Sequence, residues 1–146
     1  MAGKLFRSLL RAMAYLWASP NTLLGLVIGG VIWCAGGRVR LIDGAIECYG
    51  GWIGRFLDRL PNFKFTAITF GHAILGTSHS SLCEVRTHEH VHVRQYERWG
   101  IFFLPAYWLS SIWQVICGRD LYRDNYFEKQ AYAASPELIE KMFGAK

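Results

Sequence analysis

Charged residues are scarce in this chain, and its cysteines form no paired motif. Asp, Glu, Lys and Arg make up 18% of 146 residues, and the formal net charge is +5. The basic residues are spread along the chain rather than interleaved with aromatic residues in a stripe, which argues against nucleic acid as a partner. No C-x-x-C pair occurs among the four cysteines, so neither a zinc ribbon nor a dithiol redox motif is present: Cys34, Cys48, Cys83 and Cys117.

Apolar and aromatic residues are abundant instead. Hydrophobic residues make up 52% of the chain, aromatic residues make up 15%, and six of the residues are tryptophan. A soluble domain of this length usually carries fewer tryptophans, so the composition indicates contact with membrane lipid. The length fits one domain with one core. We therefore expect a membrane protein. The basic residues do not determine its orientation across the bilayer, because the difference in their number between the two ends of the anchor is too small.

The N-terminal region predicts an amphipathic helix followed by a membrane anchor. Residues 3–17 place apolar residues at helical spacing with basic residues mostly on another face. Pro20 is expected to break this helix. Residues 22–37 then carry no charge, and a helix of that length measures about 24 Å, close to the ~30 Å hydrocarbon layer once flanking residues contribute. We assign residues 1–37 to the amphipathic helix and the membrane anchor together. A cleaved signal peptide is the alternative, but the apolar run lies far from the N-terminus.

Residues 38–146 predict an α+β domain, mainly helical with a small β-sheet or hairpin. Asp43-Gly44 between two apolar runs predicts a hairpin over residues 38–51. Residues 52–60 follow as a short helix, and residues 63–75 as an extended segment with a bulge or close backbone approach at Gly71. Further helices are expected at residues 82–99 and 125–134, and the tail, residues 137–146, could add one more amphipathic helix.

The helix predicted at residues 82–99 contains the motif His-Glu-x-x-His. His88 and His92 are four residues apart, so both imidazoles lie on one face of a helix and can reach one metal ion. Two neutral imidazoles, a third protein ligand and a water make the tetrahedral site of a catalytic Zn²⁺. Glu89 is then placed to accept the proton of the zinc-bound water. The alternative is a helix that is merely rich in histidine, a coincidence expected in about one chain in a few hundred of this length.

Glu128 is the candidate for the third ligand. It follows His92 by 36 residues and shares a helix face with the small residue Ala131, which permits close helix packing. The alternative is a capping box, because Asn125 three residues earlier can cap the helix while the Glu128 side chain binds the Asn125 backbone N–H. Taken alone the two interpretations are balanced. The His-Glu-x-x-His motif upstream favours the ligand.

A second uncharged run, residues 101–117, separates the two halves of this site. If the run crosses the bilayer, Glu128 lies on the opposite side from His88 and His92. If it is a core or interfacial helix, the C-terminal segment can fold back onto the histidines. Pro105 near its start and a length of about 26 Å favour the non-spanning alternative slightly.

Other polar residues have both a functional and a packing interpretation. Glu89 could instead pair with nearby Arg86 at the surface, and His90 is expected to be solvated or to face a partner. His72 could approach the site as a transition-state donor, although a lone strand histidine more often packs in the core. Three tyrosines are candidates for an oxyanion donor, with core packing as the alternative: Tyr122, Tyr126 and Tyr132.

The motif residues carry a resemblance to a known family. His88-Glu89-His90-Val91-His92 followed by Glu128-Lys129-Gln130-Ala131 resembles the zincin metallopeptidases of the gluzincin type, including membrane-bound minimal members, and the longer stretch is similar to short uncharacterised bacterial proteins with H-E-x-V-H-V-R-Q-Y-E-R-W-G. The resemblance implies zinc bound by His88, His92 and Glu128, with Glu89 as base. It also implies that the strand at residues 65–70 binds extended substrate by strand addition.

Two function hypotheses follow from these residues. The first is a membrane-anchored zinc-dependent hydrolase, in particular a metallopeptidase acting on a protein substrate. The second is a non-catalytic accessory subunit of a larger membrane complex that retains a zincin-like fold and binds partners through its tryptophan-rich surface. A di-iron oxidase would need further histidine boxes, which this sequence lacks.

Overall fold

The computed structural model describes residues 2–60 and 66–138. These residues form five α-helices, one 3₁₀ turn and a small four-stranded sheet, so the predicted α+β class with mainly helical content is confirmed at this level. In chain order the elements are α1 (Ala2–Cys34), β1 (Gly37–Ile42), β2 (Ala45–Gly50), α2 (Gly51–Asp58), β3 (Ala67–Phe70), β4 (Ala73–Gly76), α3 (His79–Trp99), the 3₁₀ turn (Gly100–Phe102), α4 (Phe103–Ile116) and α5 (Tyr126–Ala133).

The sheet is mixed, and its strands lie in the order β1-β2-β4-β3. β1 pairs antiparallel with β2, β2 pairs parallel with β4, and β4 pairs antiparallel with β3. The central strand β4 is buried along its whole length, whereas β3 has a paired strand on one side only. β3 also packs against α3, so of the two edge strands it is the one beside the His-Glu-x-x-His helix.

Two tight turns define the hairpins. The predicted turn at Asp43-Gly44 is confirmed, with φ of 47° and 84°, the left-handed pair that a two-residue hairpin turn requires. The extended segment predicted at residues 63–75 is corrected, because it contains two strands rather than one; residues 63–65 lie outside the described part. Gly71, at φ 59°, begins the turn between β3 and β4, and a side chain there would collide with Thr22.

α1 is one continuous helix through Pro20, so the predicted break there is wrong. Proline cannot donate the backbone hydrogen bond that the Leu16 carbonyl would normally accept. The Ser19 hydroxyl donates to that carbonyl at 2.8 Å instead. Tertiary contacts also hold this part of the helix, because the Asn21 side-chain amide donates to the Gly100 carbonyl at 3.0 Å.

The second half of α1 packs against the sheet through small residues. Gly25 and Gly29 lie on its buried face. A Cβ at Gly25 would lie 2.7 Å from the Ala73 Cβ, and one at Gly29 would lie 2.6 Å from the Cys48 Sγ. The helix therefore approaches the strands more closely than a larger side chain would permit. The domain boundary at residue 37 stays a prediction.

α3 begins at His79, earlier than predicted, because Ser78 caps it by accepting a hydrogen bond from the Ser81 backbone N–H at 3.2 Å. The helix ends at Gly100, whose φ of 54° turns the chain into the 3₁₀ segment and α4. Trp17 of α1 packs so closely on Gly100 that no side chain fits there. This bend directs the uncharged run, residues 101–117, into a separate short helix.

α5 returns along α4 towards α3. The Asn125 side chain caps α5 by accepting from the Phe127 N–H at 2.9 Å, and its amide donates to the Ser111 hydroxyl at 2.7 Å. These bonds place the start of α5 beside the middle of α4, so α4 does not carry Glu128 away from the histidines. The predicted helix at residues 137–146 lies largely outside the described residues.

Two segments in the described chain are long and apolar enough to cross a membrane: Gly3–Cys34 and His79–Ile116. Core helices of soluble proteins and signal sequences share this length and composition. Yet only 28% of the most apolar window in the first segment and 17% in the second is buried. All six tryptophans are also between 44% and 64% exposed: Trp17, Trp33, Trp52, Trp99, Trp108 and Trp113.

Candidate metal centre

The structure brings together the three side chains that the sequence predicts as metal ligands. His88 Nε2 lies 3.1 Å from His92 Nε2 and 3.2 Å from Glu128 Oε2. His92 Nε2 lies 3.4 Å from Glu128 Oε1. All three residues are buried, and each offers one ligand atom to a group that could hold a metal ion.

These distances fit the edges of a small coordination polyhedron. A tetrahedral zinc ion with bonds of about 2.0–2.1 Å has neighbouring ligand atoms about 3.3 Å apart. The two imidazole nitrogens lie 3.1 Å apart, and each approaches a different oxygen of Glu128, His88 Nε2 at 3.2 Å from Oε2 and His92 Nε2 at 3.4 Å from Oε1, all close to that value. With one ligand atom taken from each residue, the three atoms lie within 4.8 Å of one another. Two imidazoles and one carboxylate form the donor set of a catalytic zinc site that leaves the fourth position for water. The residues therefore fit a zinc ion, although other divalent metals also accept nitrogen and oxygen ligands.

The two imidazoles are oriented differently. His92 Nδ1 lies 2.8 Å from the Gln95 side-chain oxygen, which leaves Nε2 free to point towards Glu128. His88 Nδ1 is buried and has no hydrogen-bond partner among the described residues. The His88 ring instead packs on the Tyr132 ring, with 4.5 Å between centroids. Packing thus orients one histidine, and a hydrogen bond orients the other.

The buried carboxylate changes the protonation of the pair. Burial alone lowers the pKa of His92, but the hydrogen bond and charge of Glu128 outweigh this effect and raise that pKa to about 9. Burial raises the pKa of Glu128, but its bonds to the two histidines outweigh burial and lower that pKa well below its usual range. Near neutral pH the metal-free group is therefore an ion pair between protonated His92 and ionised Glu128. Metal binding must displace the proton.

Glu128 has a third partner, which holds its carboxylate in place. The Tyr107 hydroxyl, from α4, donates to Glu128 Oε1 at 2.7 Å. Burial and the adjacent carboxylate raise the pKa of Tyr107 far above its usual value, so the hydroxyl remains a donor. The capping-box alternative for Glu128 is contradicted: Asn125 does cap α5, but its own backbone N–H donates to the Tyr122 carbonyl at 3.1 Å.

Glu89 lies beside the ligand group and is buried. Its Oε2 accepts a hydrogen bond of 2.7 Å from the Thr69 hydroxyl of β3. The alternative pairing of Glu89 with Arg86 is wrong, because Arg86 binds the fully buried Glu47 through two bonds of 2.6 and 3.0 Å. Glu89 therefore faces the site rather than solvent.

A cavity of about 600 Å³ contains these side chains. It lies between β3, α3, α4 and α5, and Glu89, His88, His92 and Glu128 all line it. Residues 66–70, which include the edge strand β3, form one wall, so this strand borders the same space as the ligand group. An extended chain in this cavity would lie along an unpaired strand edge.

Of the other candidate residues, some line the cavity and others lie outside it. Tyr122 and Tyr132 line the cavity, with their hydroxyls 3.2 Å apart, whereas Tyr126 is 57% exposed. His72 lies outside the cavity lining: it stacks on Tyr15 and contacts Glu97 Oε1 at 3.2 Å, which agrees with the packing interpretation.

His90 differs from its expected exposure. It is half-buried, burial lowers its pKa, and its Nε2 has no hydrogen-bond partner among the described residues. The side chain is thus only partly solvated, and the alternative that it faces a partner stays a prediction. The ring lines a separate polar cavity on the other side of α3.

Sequence reasoning missed two residues that contact the ligands. Tyr107 carried no signal, because it belongs to an uncharged run whose path was undetermined. Gln95 did carry one: it follows His92 by three residues and so shares its helix face, a spacing that permits a side-chain contact. A search for polar residues at i+3 and i+4 from each ligand would have found it.

Comparisons with protein-family models, with curated proteins and with solved structures find no match to this chain.

Proposed function

We propose that this protein is a membrane-anchored zinc-dependent hydrolase, with peptides as its substrates. The observation that carries the proposal is the buried group of His88, His92 and Glu128, in which the two imidazole Nε2 atoms lie 3.1 Å apart and each lies 3.2 to 3.4 Å from an oxygen of the carboxylate. The position of Glu89 in the same cavity supports a hydrolytic role. The gluzincin-type resemblance of the motif agrees with both.

Each residue of the site would have a defined task. Bound zinc would supply Lewis-acid polarisation and a water whose pKa is lowered to about 7. Glu89, oriented by Thr69, would accept a proton from the attacking water and deliver it to the leaving amine. Tyr132, which contacts His88, and Tyr122 lie where a hydroxyl can donate to a developing oxyanion.

The shape of the cavity favours an extended peptide. β3 is paired with β4 on one side, and its residues line the cavity on the other. A substrate chain lying along β3 would exchange backbone hydrogen bonds with it and bring one of its peptide bonds to the ligand group. This mode selects for an extended backbone, while the apolar lining selects for apolar side chains.

Metal content tests the first half of the proposal. We expect about one zinc per chain in protein purified in detergent and exposed to Zn²⁺, and a large loss in His88→Ala. His79→Ala is the matched control. His79 is an exposed histidine that contacts Cys83 and lies outside the cavity, so this variant should keep its zinc. Wild-type protein without stoichiometric zinc would contradict the proposal.

Catalysis is tested separately from binding. Glu89→Gln keeps the shape of the side chain and an acceptor for Thr69 but cannot accept a proton at neutral pH. We expect this variant to hold zinc as the wild type does and to lose peptide hydrolysis by several orders of magnitude. Unchanged hydrolysis would refute Glu89 as the base.

Membrane association is supported by the exposed apolar surface. Trp17 and Trp33 are both exposed on α1, 16 residues apart, which is about 24 Å along a helix and close to the separation of the two interfaces of a bilayer. α4 carries no charged residue, and Leu109, Ile112 and Trp113 on it are exposed. Flotation with lipid vesicles checks this; protein that stays in the aqueous fraction without detergent would contradict it.

The second candidate is an accessory subunit of a membrane complex. The exposure of all six tryptophans favours it, because such residues are enriched at protein interfaces as well as at lipid. Stoichiometric co-purification with a partner, together with no hydrolysis by the zinc-loaded protein, would select this function over the first.

A further inference from the structure

The Gln95 side chain connects two parts of the ligand group. Its oxygen lies 2.8 Å from His92 Nδ1 in α3. Its nitrogen donates to the Phe127 carbonyl at 3.0 Å and to the Gln130 side-chain oxygen at 3.1 Å, both in α5. Gln95 is 3% exposed, so these bonds form away from water.

The partners determine which end of the amide faces which helix. A backbone carbonyl can only accept a hydrogen bond, so the NH₂ end of Gln95 must face Phe127. The oxygen must then face His92, and Nδ1 of that ring must carry the proton. When the ring is neutral, Nε2 therefore carries a lone pair that is available to a metal ion. This atom lies 3.4 Å from Glu128 Oε1.

We infer that Gln95 is a positioning residue for the metal site: its amide orients His92 and holds the turn of α5 that carries Glu128. This inference rests on the proposed metal centre. Phe127 directly precedes Glu128, so one amide bonds to a ligand in α3 and to the backbone adjacent to a ligand in α5. A carboxylate could accept from His92 but could not donate to Phe127, which is the physical reason for glutamine at this position.

The asymmetry between the two histidines makes His92 dependent on Gln95. His88 Nδ1 has no hydrogen-bond partner among the described residues, and its ring rests on Tyr132. For His92 Nδ1, the Gln95 amide is the one partner in the described part of the chain. Groups that orient metal-binding histidines typically change metal affinity by 10- to 100-fold when they are removed. We expect an effect of that size for Gln95.

Zn²⁺ affinity of the purified full chain, measured by competition with a chelator, tests the inference. Gln95→Met keeps the side-chain length and removes all three hydrogen bonds, so its affinity should fall by about 10- to 100-fold. Gln95→Glu restores an acceptor for His92 and should recover part of this loss. The absorption spectrum of Co²⁺-loaded protein provides a second readout, since altered ligand geometry changes it and a purely structural effect elsewhere does not.

Gln114→Met is the matched control. Gln114 is another buried glutamine, on α4, and it does not line the cavity. The Zn²⁺ affinity of Gln114→Met should equal that of the wild type. Thermal melts of the metal-free variants identify any variant that fails to fold. A folded Gln95→Met that binds Zn²⁺ within threefold of the wild type overturns the inference, and so does a Gln95→Glu variant as weak as Gln95→Met. Wild-type protein that binds no zinc contradicts the proposed function instead.

Discussion

The ion pair between His92 and Glu128 makes the stability of the metal-free protein depend on pH. Glu128 raises the pKa of His92 to about 9, whereas the unfolded chain has an ordinary value near 6.5. A group with a raised pKa contributes its full stabilisation below the unfolded value and loses it as the pH rises through the folded value. The contribution of His92 should therefore be complete below about pH 6.5 and lost by about pH 9.

The magnitude follows from the difference between the two pKa values. At about 1.4 kcal/mol for each pKa unit, the shift corresponds to about 3 kcal/mol of unfolding free energy. No large discount for solvent applies, because the His92 side chain is 10% exposed and that of Glu128 is 4% exposed. The lowered pKa of Glu128 describes the same interaction from the other partner, so the two shifts are not added.

Denaturant unfolding of chelator-treated protein between pH 6 and pH 9.5 measures this effect. The wild type should lose about 3 kcal/mol relative to Glu128→Gln, in which a neutral amide replaces the carboxylate. Glu97→Gln is the control: its carboxylate contacts His72 outside the site, and the loss due to His92 should persist. If the difference in unfolding free energy between the wild type and Glu128→Gln does not change with pH, the reasoning is refuted.

Three further predictions concern the site and the packing of α1. Zinc binding at pH 7.5 should release about one proton from His92, measured by titration calorimetry in buffers of different ionisation enthalpy; no release would contradict the raised pKa. Tyr107→Phe removes one of the three partners of the buried Glu128 carboxylate and should lower stability by about 1–3 kcal/mol in thermal melts. Gly29→Ala should destabilise the protein by about 1–3 kcal/mol, whereas Gly30→Ala, with open space around it, should be neutral or stabilising.

Local patterns in the sequence were sufficient for several elements. The left-handed φ values needed at Asp43-Gly44 belong to the residues of the turn itself, so the hairpin could be predicted without knowledge of its surroundings. The common face of His88 and His92 follows from helical periodicity alone. The N-cap role of Asn125 is likewise local.

Other expectations failed because distant residues determined the outcome. Pro20 would normally break a helix because it lacks a backbone N–H. Here the Ser19 hydroxyl donates to the carbonyl that Pro20 leaves without a donor, and the bond from Asn21 to Gly100 holds this part of the helix in place. Arg86 has Glu89 as a near neighbour in sequence, but it binds Glu47, which is 39 residues away and excluded from water. Burial makes that distant pair stronger than a solvated local one.

The metal centre also depends partly on local sequence and partly on tertiary contacts. The sequence by itself determined the chemistry available: two imidazoles one helical turn apart, an acid beside them and a second acid downstream, because side-chain identity and helical spacing are local properties. Only the tertiary structure decided that Glu128 reaches the histidines. That meeting depends on the bend at Gly100 and on the bonds of Asn125 to α4, and the bend lies at a contact with α1 that no local pattern encodes.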